Sequence, residues 1–297
     1  MAESLSVKYR PKTFEEVSSQ TTIIRILRKQ IELEKFSNAY LFCGPSGCGK
    51  TTTARIFARE INKHQGSPIE IDAASNNGVD NVRRIRDEAR ERSLDSKYKI
   101  FIIDECHRLT TDSWNVFLKV LEEPPQYTIF IFCTTDPHKI LDTVSNRCMR
   151  FNFTRIDAKH IENRLAYICE KEGFTNYQDT VQYISKICKG QMRDGISYLE
   201  KVASYDTDVN IDNCIEALGN FSYHTLFKLI NCIIDKNLSG VFEIVDNFYL
   251  TGGDLKQFVE QLLNFCTDLL KYSLLRDTSI LEIPGSMKED IEYVVNI

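Results

Sequence analysis

Gly44-Pro45-Ser46-Gly47-Cys48-Gly49-Lys50-Thr51 fits the pattern G-x-x-x-x-G-K-[ST], a loop whose backbone N–H groups surround phosphate oxygens. The apolar run Ala39-Tyr40-Leu41-Phe42-Cys43 leads into it, and the helical pattern Thr52-Thr53-Ala54-Arg55-Ile56-Phe57-Ala58 leads out. Strand, loop and helix in that order are the setting the motif needs, which disfavours a chance glycine loop. Its glycines let N–H groups turn inward, and the helix N-terminus adds partial positive charge. Lys50 is expected to reach the terminal phosphates of a nucleoside triphosphate, and the Thr51 hydroxyl to ligate Mg²⁺. Thr52 continues the phosphate-facing start of the helix.

Outward from this loop, strand and helix signals alternate through the first half, the mark of a parallel α/β sheet. Ile24, Leu27 and Ile31 share one face of an N-terminal helix. Ile69–Ala73, Lys99–Asp104, Thr128–Cys133 and Met149–Phe153 read as further strands. The near-continuous apolar runs at 99–104 and 128–133 suit central strands covered on both faces. Asp80–Ser93 reads as a charged helix, and Thr111–Glu123 as a helix stopped by Pro124-Pro125.

Near Asp157 the pattern becomes helical only. Ile161, Leu165, Ile168 and Cys169 step at helical spacing, as do Val181, Ile184 and Cys188. Asn220 onward is again helical, with Leu226, Leu229, Ile230 and Ile233 on one face. Leu255, Phe258, Val259, Leu262, Leu263 and Cys266 form a second long stripe. These stripes are expected to be core. Gly252-Gly253 and Pro284-Gly285 punctuate the last segment.

Asp104 and Glu105 end the strand after the phosphate loop, and that pairing has a specific use. Asp104 is expected to hold Mg²⁺. Glu105 is expected to orient or deprotonate the water attacking the γ-phosphate. The competing reading is an acidic turn capping a strand. The following strand ends Cys133-Thr134-Thr135-Asp136-Pro137. Strand C-termini line the nucleotide crevice in such sheets, so Thr135, or its neighbour Thr134, is placed to sense the γ-phosphate. Arg147 follows a short helix beyond that strand, at the domain edge. There it serves either as a finger into a neighbouring protomer's site or as a surface ion pair.

Composition bounds the rest. The 297 residues suffice for a nucleotide-binding domain plus one or two smaller ones. Net charge is −5, so contact with nucleic acid must come from a local patch. The ten cysteines include no C-x-x-C and sit mostly in apolar segments, which points to free thiols in a reducing compartment and no zinc. No apolar run is long enough to span a bilayer, and the N-terminus lacks a signal-peptide layout. A cytosolic protein is expected.

In their order, the phosphate loop with Asp104-Glu105, Thr134-Thr135-Asp136-Pro137, Asn146-Arg147-Cys148 and Gly190-Gln191-Met192-Arg193-Asp194-Gly195 resemble the AAA+ clamp-loader ATPases. Lys8-Tyr9-Arg10-Pro11-Lys12-Thr13-Phe14-Glu15-Glu16-Val17 is similar to that family's opening motif. Leu121-Glu122-Glu123-Pro124-Pro125 and Ile71-Asp72-Ala73-Ala74-Ser75 look closest to the bacterial polymerase III gamma/tau type.

The resemblance implies an AAA+ α/β domain with a central parallel sheet over residues 1–156. A helical lid at 157–220 and a helical collar at 221–297, which holds a five-membered ring of subunits together, would follow. It implies that Tyr9, Arg10 and Pro11 wall the adenine pocket and that Arg147 is the trans-acting finger. Arg193 would be a second sensor of the nucleotide phosphates. The implied activity is ATP-driven opening of a sliding clamp and its closure around primer–template DNA. The implied partners are the other loader subunits, the clamp and that DNA; no membrane is involved. Another DNA-linked AAA+ motor (a helicase loader or branch-migration ring) and a non-hydrolysing ring subunit are the alternatives.

Three departures from the family pattern stand out. Asn62–Pro68 replaces the four-cysteine zinc module directly, Asn146 replaces the usual serine before the finger arginine, and Ser19 replaces the usual glycine before Gln20. The chain also stops soon after the expected collar, without the tau tail. A compact version from a virus of bacteria is one compatible origin.

Arg83, Arg86 and Arg90 recur at helical steps, and Ser75-Asn76-Asn77-Gly78 precedes them. The loop and face could contact phosphates without reading bases, or could be a solvated helix with ion pairs. The resemblance favours DNA contact for Asn76 and Arg83, and makes Lys119 a candidate for linking DNA to the active site.

Overall fold

The computed structural model describes residues 3–219, 223–250, 255–278, 280–281, 283 and 287–296. The Gly252-Gly253 and Pro284-Gly285 breaks and the Asn220 boundary lie outside them. The chain divides into two compact units, one of residues 6–160 with 190–193, the other of 1–5, 161–189 and 194–297.

The first unit carries five strands: β1 (Ala39–Cys43), β2 (Ile69–Asp72), β3 (Lys99–Asp104), β4 (Thr128–Thr134) and β5 (Met149–Asn152). They form one sheet in the order β2-β3-β4-β1-β5, and every pairing is parallel. Helices α1 (Leu5–Lys8), α2 (Thr21–Glu32), α3 (Lys50–Ile61), α4 (Val79–Ala89), α5 (Thr111–Glu122) and α6 (Asp142–Ser145) join or precede the strands.

Strand side chains alternate between two faces, and each face has its own core. Leu41, Phe101, Ile103, Phe130 and Phe132 pack with Val82 and Ile85 of α4 and Trp114, Phe117 and Val120 of α5. Tyr40, Phe42, Ile100, Ile102, Ile129 and Ile131 pack with Leu27 of α2 and Ala54, Phe57 and Ile61 of α3. This two-sided cover is why β1, β3 and β4 read as unbroken apolar runs.

α4 ends sooner than its charge pattern suggests. The expected helix to Ser93 stops at Ala89, with Arg90 as C-cap. Beyond it, side-chain bonds close a turn instead: Ser93 Oγ donates to Asp95 and Ser96 Oγ to Ser93 Oγ. Arg90, still in the right-handed helical region, is the last residue that can share the Arg83–Arg86 face.

The second unit contains α7 (Ala158–Glu172), α8 (Gln178–Ile187), α9 (Met192–Tyr205), α10 (Ile211–Leu218), α11 (Tyr223–Ile234), α12 (Leu238–Leu250), α13 (Leu255–Leu275) and α14 (Lys288–Val295), the first residues of α7 and α9 belonging to the first unit. Ile161, Leu165, Ile168, Cys169, Val181, Ile184 and Cys188 are buried as expected. Asn210 caps α10 through the Asn213 N–H, and Gly219 closes it in the left-handed region.

The last two stripes are corrected. Leu226 and Leu229 are buried, but Ile233 is exposed. On α13 the core face is Phe258, Phe265, Leu269 and Tyr272, whereas Leu255, Val259 and Leu263 are 42–62% exposed and Cys266 is exposed as well. α13 is apolar on more than one face, and its own unit covers only one of them.

Candidate nucleotide site

The strand order sets the site. β1 stands between β4 and β5, and β3 lies on the far side of β4. The C-terminal ends of β1, β4 and β3 are thus neighbours, which brings Gly44, Thr135 and Asp104-Glu105 to one edge of the sheet.

Gly44 leaves β1 at φ 152°, and a Cβ there would stand 2.5 Å from the Phe153 carbonyl oxygen. Only glycine fits so close to backbone. Gly47, at φ 66°, carries the loop past Gln191 and Arg193; an added Cβ would meet Gln191 Cβ at 3.0 Å and Arg193 N at 3.4 Å. The Met192 N–H donates to Gly47 O over 3.1 Å. The start of α9, and with it Arg193, is therefore fastened to the phosphate loop.

Lys50 is buried at the first turn of α3, and its Nζ donates to Gly44 O at 2.9 Å and Pro45 O at 2.8 Å. The Thr51 hydroxyl donates to Asp104 Oδ2 at 2.8 Å. Asp104 Oδ1 accepts the Glu105 N–H at 2.9 Å, and Glu105 itself sits at φ 47°. That strained turn swings its side chain out of the strand alternation. The Thr135 hydroxyl donates to Glu105 Oε2 at 2.9 Å. Thr134 instead is fully buried and bonds His107 Nδ1 at 3.1 Å.

Burial pushes the Cys106 and Cys133 thiols well up, so no thiolate competes with the acidic pair. The Lys139 ammonium, bonded to Asp136, holds that carboxyl below its usual range. Thr51 and Asp104 supply hard oxygen donors side by side, the kind Mg²⁺ takes, so the residues present fit that ion.

The other expected site residues are placed as follows. Tyr9, Arg10 and Pro11 follow α1 half-buried, with the Arg10 N–H donating to Val7 O. Pro45, Ser46, Cys48, Gly49 and Thr52 lie in the loop and first helical turn, and Cys48 Sγ donates to Pro45 O. Arg147 bonds Glu122 Oε1 at 2.9 Å and Thr143 O at 2.7 Å, a surface ion pair within its own chain. Asn76 Nδ2 is bonded to Asp72 O and Ser75 Oγ, Arg83 is paired with Asp80, and Lys119 is exposed on α5.

Two site residues escaped the sequence reading. His107 bridges Thr134 and Glu105, standing 3.3 Å from Glu105 Oε2; its signal is its place two residues after the acidic pair's glutamate, in a single 3-10 turn. Gln20 is buried, and its amide ties Cys48 O to Thr154 O and N. No periodicity marks it, because it precedes α2 in a left-handed conformation.

Comparison with known proteins bears on this geometry. The chain is 37% identical over 286 residues to DNA polymerase III subunit tau of Bacillus subtilis, a match covering 89% of this chain and 51% of that one. It is 32% identical over 288 residues to the gamma/tau subunit of Mycobacterium tuberculosis, covering 89% and 50%. The chain is a homologue of DNA polymerase III gamma/tau subunits. It spans about half the length of these curated relatives. A family profile described as "DNA polymerase III, delta subunit" matches residues 69–157. Among solved structures, the Thermotoga maritima RuvB Holliday junction branch migration motor superposes with a TM-score of 0.61 at 17% identity, covering 88% of this chain and 92% of that one. That likeness speaks for the AAA+ fold alone.

Proposed function

We propose that this gamma/tau homologue is an ATPase subunit of a sliding-clamp loader acting on primer–template DNA in the bacterial cytosol. The observation that carries the reading is the pair of contacts at adjoining strand ends, Thr51–Asp104 at 2.8 Å and Thr135–Glu105 at 2.9 Å, beside the phosphate loop. Together they would place metal-ligating oxygens and a general base beside the phosphate loop, as in-line phosphoryl transfer to water requires.

The loop N–H groups and the α3 N-terminus take the phosphates. Lys50 exchanges its two carbonyl partners for phosphate oxygens. Thr51 and Asp104 would hold Mg²⁺, which would supply neutralisation of phosphate charge. Glu105 accepts the proton of the attacking water, and Thr135 fixes the carboxylate that does so. Arg193 reaches the phosphates from the start of α9, and Tyr9, Arg10 and Pro11 enclose the adenine. Arg147 of one protomer completes the neighbour's site.

We further assign residues 1–156 to the nucleotide-binding domain, 157–220 to a lid and 221–297 to a collar. The exposed apolar residues of α12 and α13, among them Phe242, Leu250, Leu263 and Leu270, support a role in joining subunits, since patches of this kind mark interfaces. The partners would be other loader subunits in a five-membered ring, the clamp and primed DNA, with Asn76, Arg83 and Lys119 on the DNA side.

The test is clamp loading by the reconstituted complex. Lys50→Ala in this chain is expected to abolish ATP-dependent loading onto primed DNA. Loading at wild-type rate by that variant, with no other functional ATP site in the ring, would overturn the reading.

A further inference from the structure

We infer that Glu122 is the positioning residue of the Arg147 finger, an inference that rests on reading Arg147 as trans-acting. Arg147 has five N–H donors. Two of them are tied within its own chain: Nη2 to Glu122 Oε1 at 2.9 Å and Nη1 to the Thr143 carbonyl at 2.7 Å. The two acceptors come from separate elements, the last turn of α5 and the single turn of α6. They fix the plane of the guanidinium and leave three donors for a phosphate.

Stability does not account for the pair. Its side chains are 38% and 53% exposed, and ion pairs in that setting contribute about 0–1 kcal/mol. The position is also adverse for the helix. Glu122 is the final residue of α5 and Glu123 its C-cap, where the helix dipole favours cations. An acid there is unhelpful to α5 itself, and among the described residues Arg147 is its only side-chain partner. Pro124 follows the Glu123 C-cap and keeps α5 from continuing past Glu122. α5 also begins next to the catalytic strand end: Thr110 caps it two residues after the 3-10 turn that carries His107, and its buried Ser113 donates to Asn77 O in the loop before α4. One rigid helix thus connects a protomer's own acidic pair to the finger it lends.

The experiment measures steady-state ATP hydrolysis by the assembled ring with clamp and primed DNA, comparing Glu122→Ala, Glu122→Gln, Arg147→Ala and the Glu122→Ala/Arg147→Ala double variant. Glu122→Ala should lower kcat roughly tenfold with KM for ATP little changed, the loss expected when an oriented group is left mobile. Glu122→Gln, whose amide oxygen still accepts from Nη2, should recover most of that loss. The double variant should match Arg147→Ala. Normal or faster turnover in Glu122→Ala, no rescue by glutamine, or losses that multiply in the double variant would overturn the positioning role while leaving the finger intact. Unchanged turnover in Arg147→Ala would instead remove the finger reading itself.

Discussion

The Thr135 hydroxyl donates to Glu105 Oε2 over 2.9 Å. Glu105 turns out of β3 at φ 47°, so its carboxylate needs an external hold. Thr135, one residue past the end of β4, provides it because β3 and β4 are neighbours in parallel register. Thr135→Val keeps the shape and removes the donor. ATP hydrolysis should fall about 10–100-fold, the range of a general base that loses its alignment, while ATP binding stays close to wild type. Single-turnover hydrolysis alongside nucleotide binding checks this.

His107 Nδ1 stands 3.3 Å from the same Glu105 oxygen, Oε2, and also bonds the buried Thr134. His107→Ala should reduce hydrolysis less than Thr135→Val and additionally lower the thermal midpoint, because Thr134 loses its ring partner in a buried setting. Parallel thermal unfolding and turnover measurements separate the two effects.

Gly44 has no room for a side chain, since a Cβ would collide with the Phe153 carbonyl at 2.5 Å. Gly44→Ala should cost about 2 kcal/mol or more through a backbone shift, and weaken ATP binding by moving the loop N–H groups that surround the phosphates. Denaturant unfolding gives the first quantity and nucleotide titration the second.

Ser19 stands where the family's usual glycine lies, at φ 68°. A left-handed conformation costs a non-glycine residue about 1–2 kcal/mol, offset in part by glycine's greater chain entropy when unfolded. Ser19→Gly should therefore stabilise the protein by about 0.5–1 kcal/mol, read as a raised denaturant midpoint with unchanged slope.

Much of this was legible in the sequence because it depends on local pattern. The five strands and the phosphate loop follow from apolar runs punctuated by glycine and acid, and the two-sided cover of the sheet follows from the length of those runs. Assigning Thr51 and Asp104 to one Mg²⁺ requires them to be near each other, but their direct hydrogen bond is seen only in the structure. Residues held by tertiary bonds were harder. Gln20 and His107 carry no periodic signal, and the Arg147–Glu122 pair joins positions 25 apart. The α13 stripe misled for a physical reason: a helix apolar on more than one face does not disclose from sequence which face its own unit covers. The expected helix end at Ser93 misled because turn-forming serines and Asp95 compete with helix continuation.

ATP hydrolysis directed by Glu105 is tested most directly by one measurement. In single-turnover hydrolysis by the assembled ring, Glu105→Gln should bind ATP as well as wild type does yet cleave it about 100-fold more slowly or worse. Cleavage at the wild-type rate, with nucleotide bound at this chain's own site, would contradict the account.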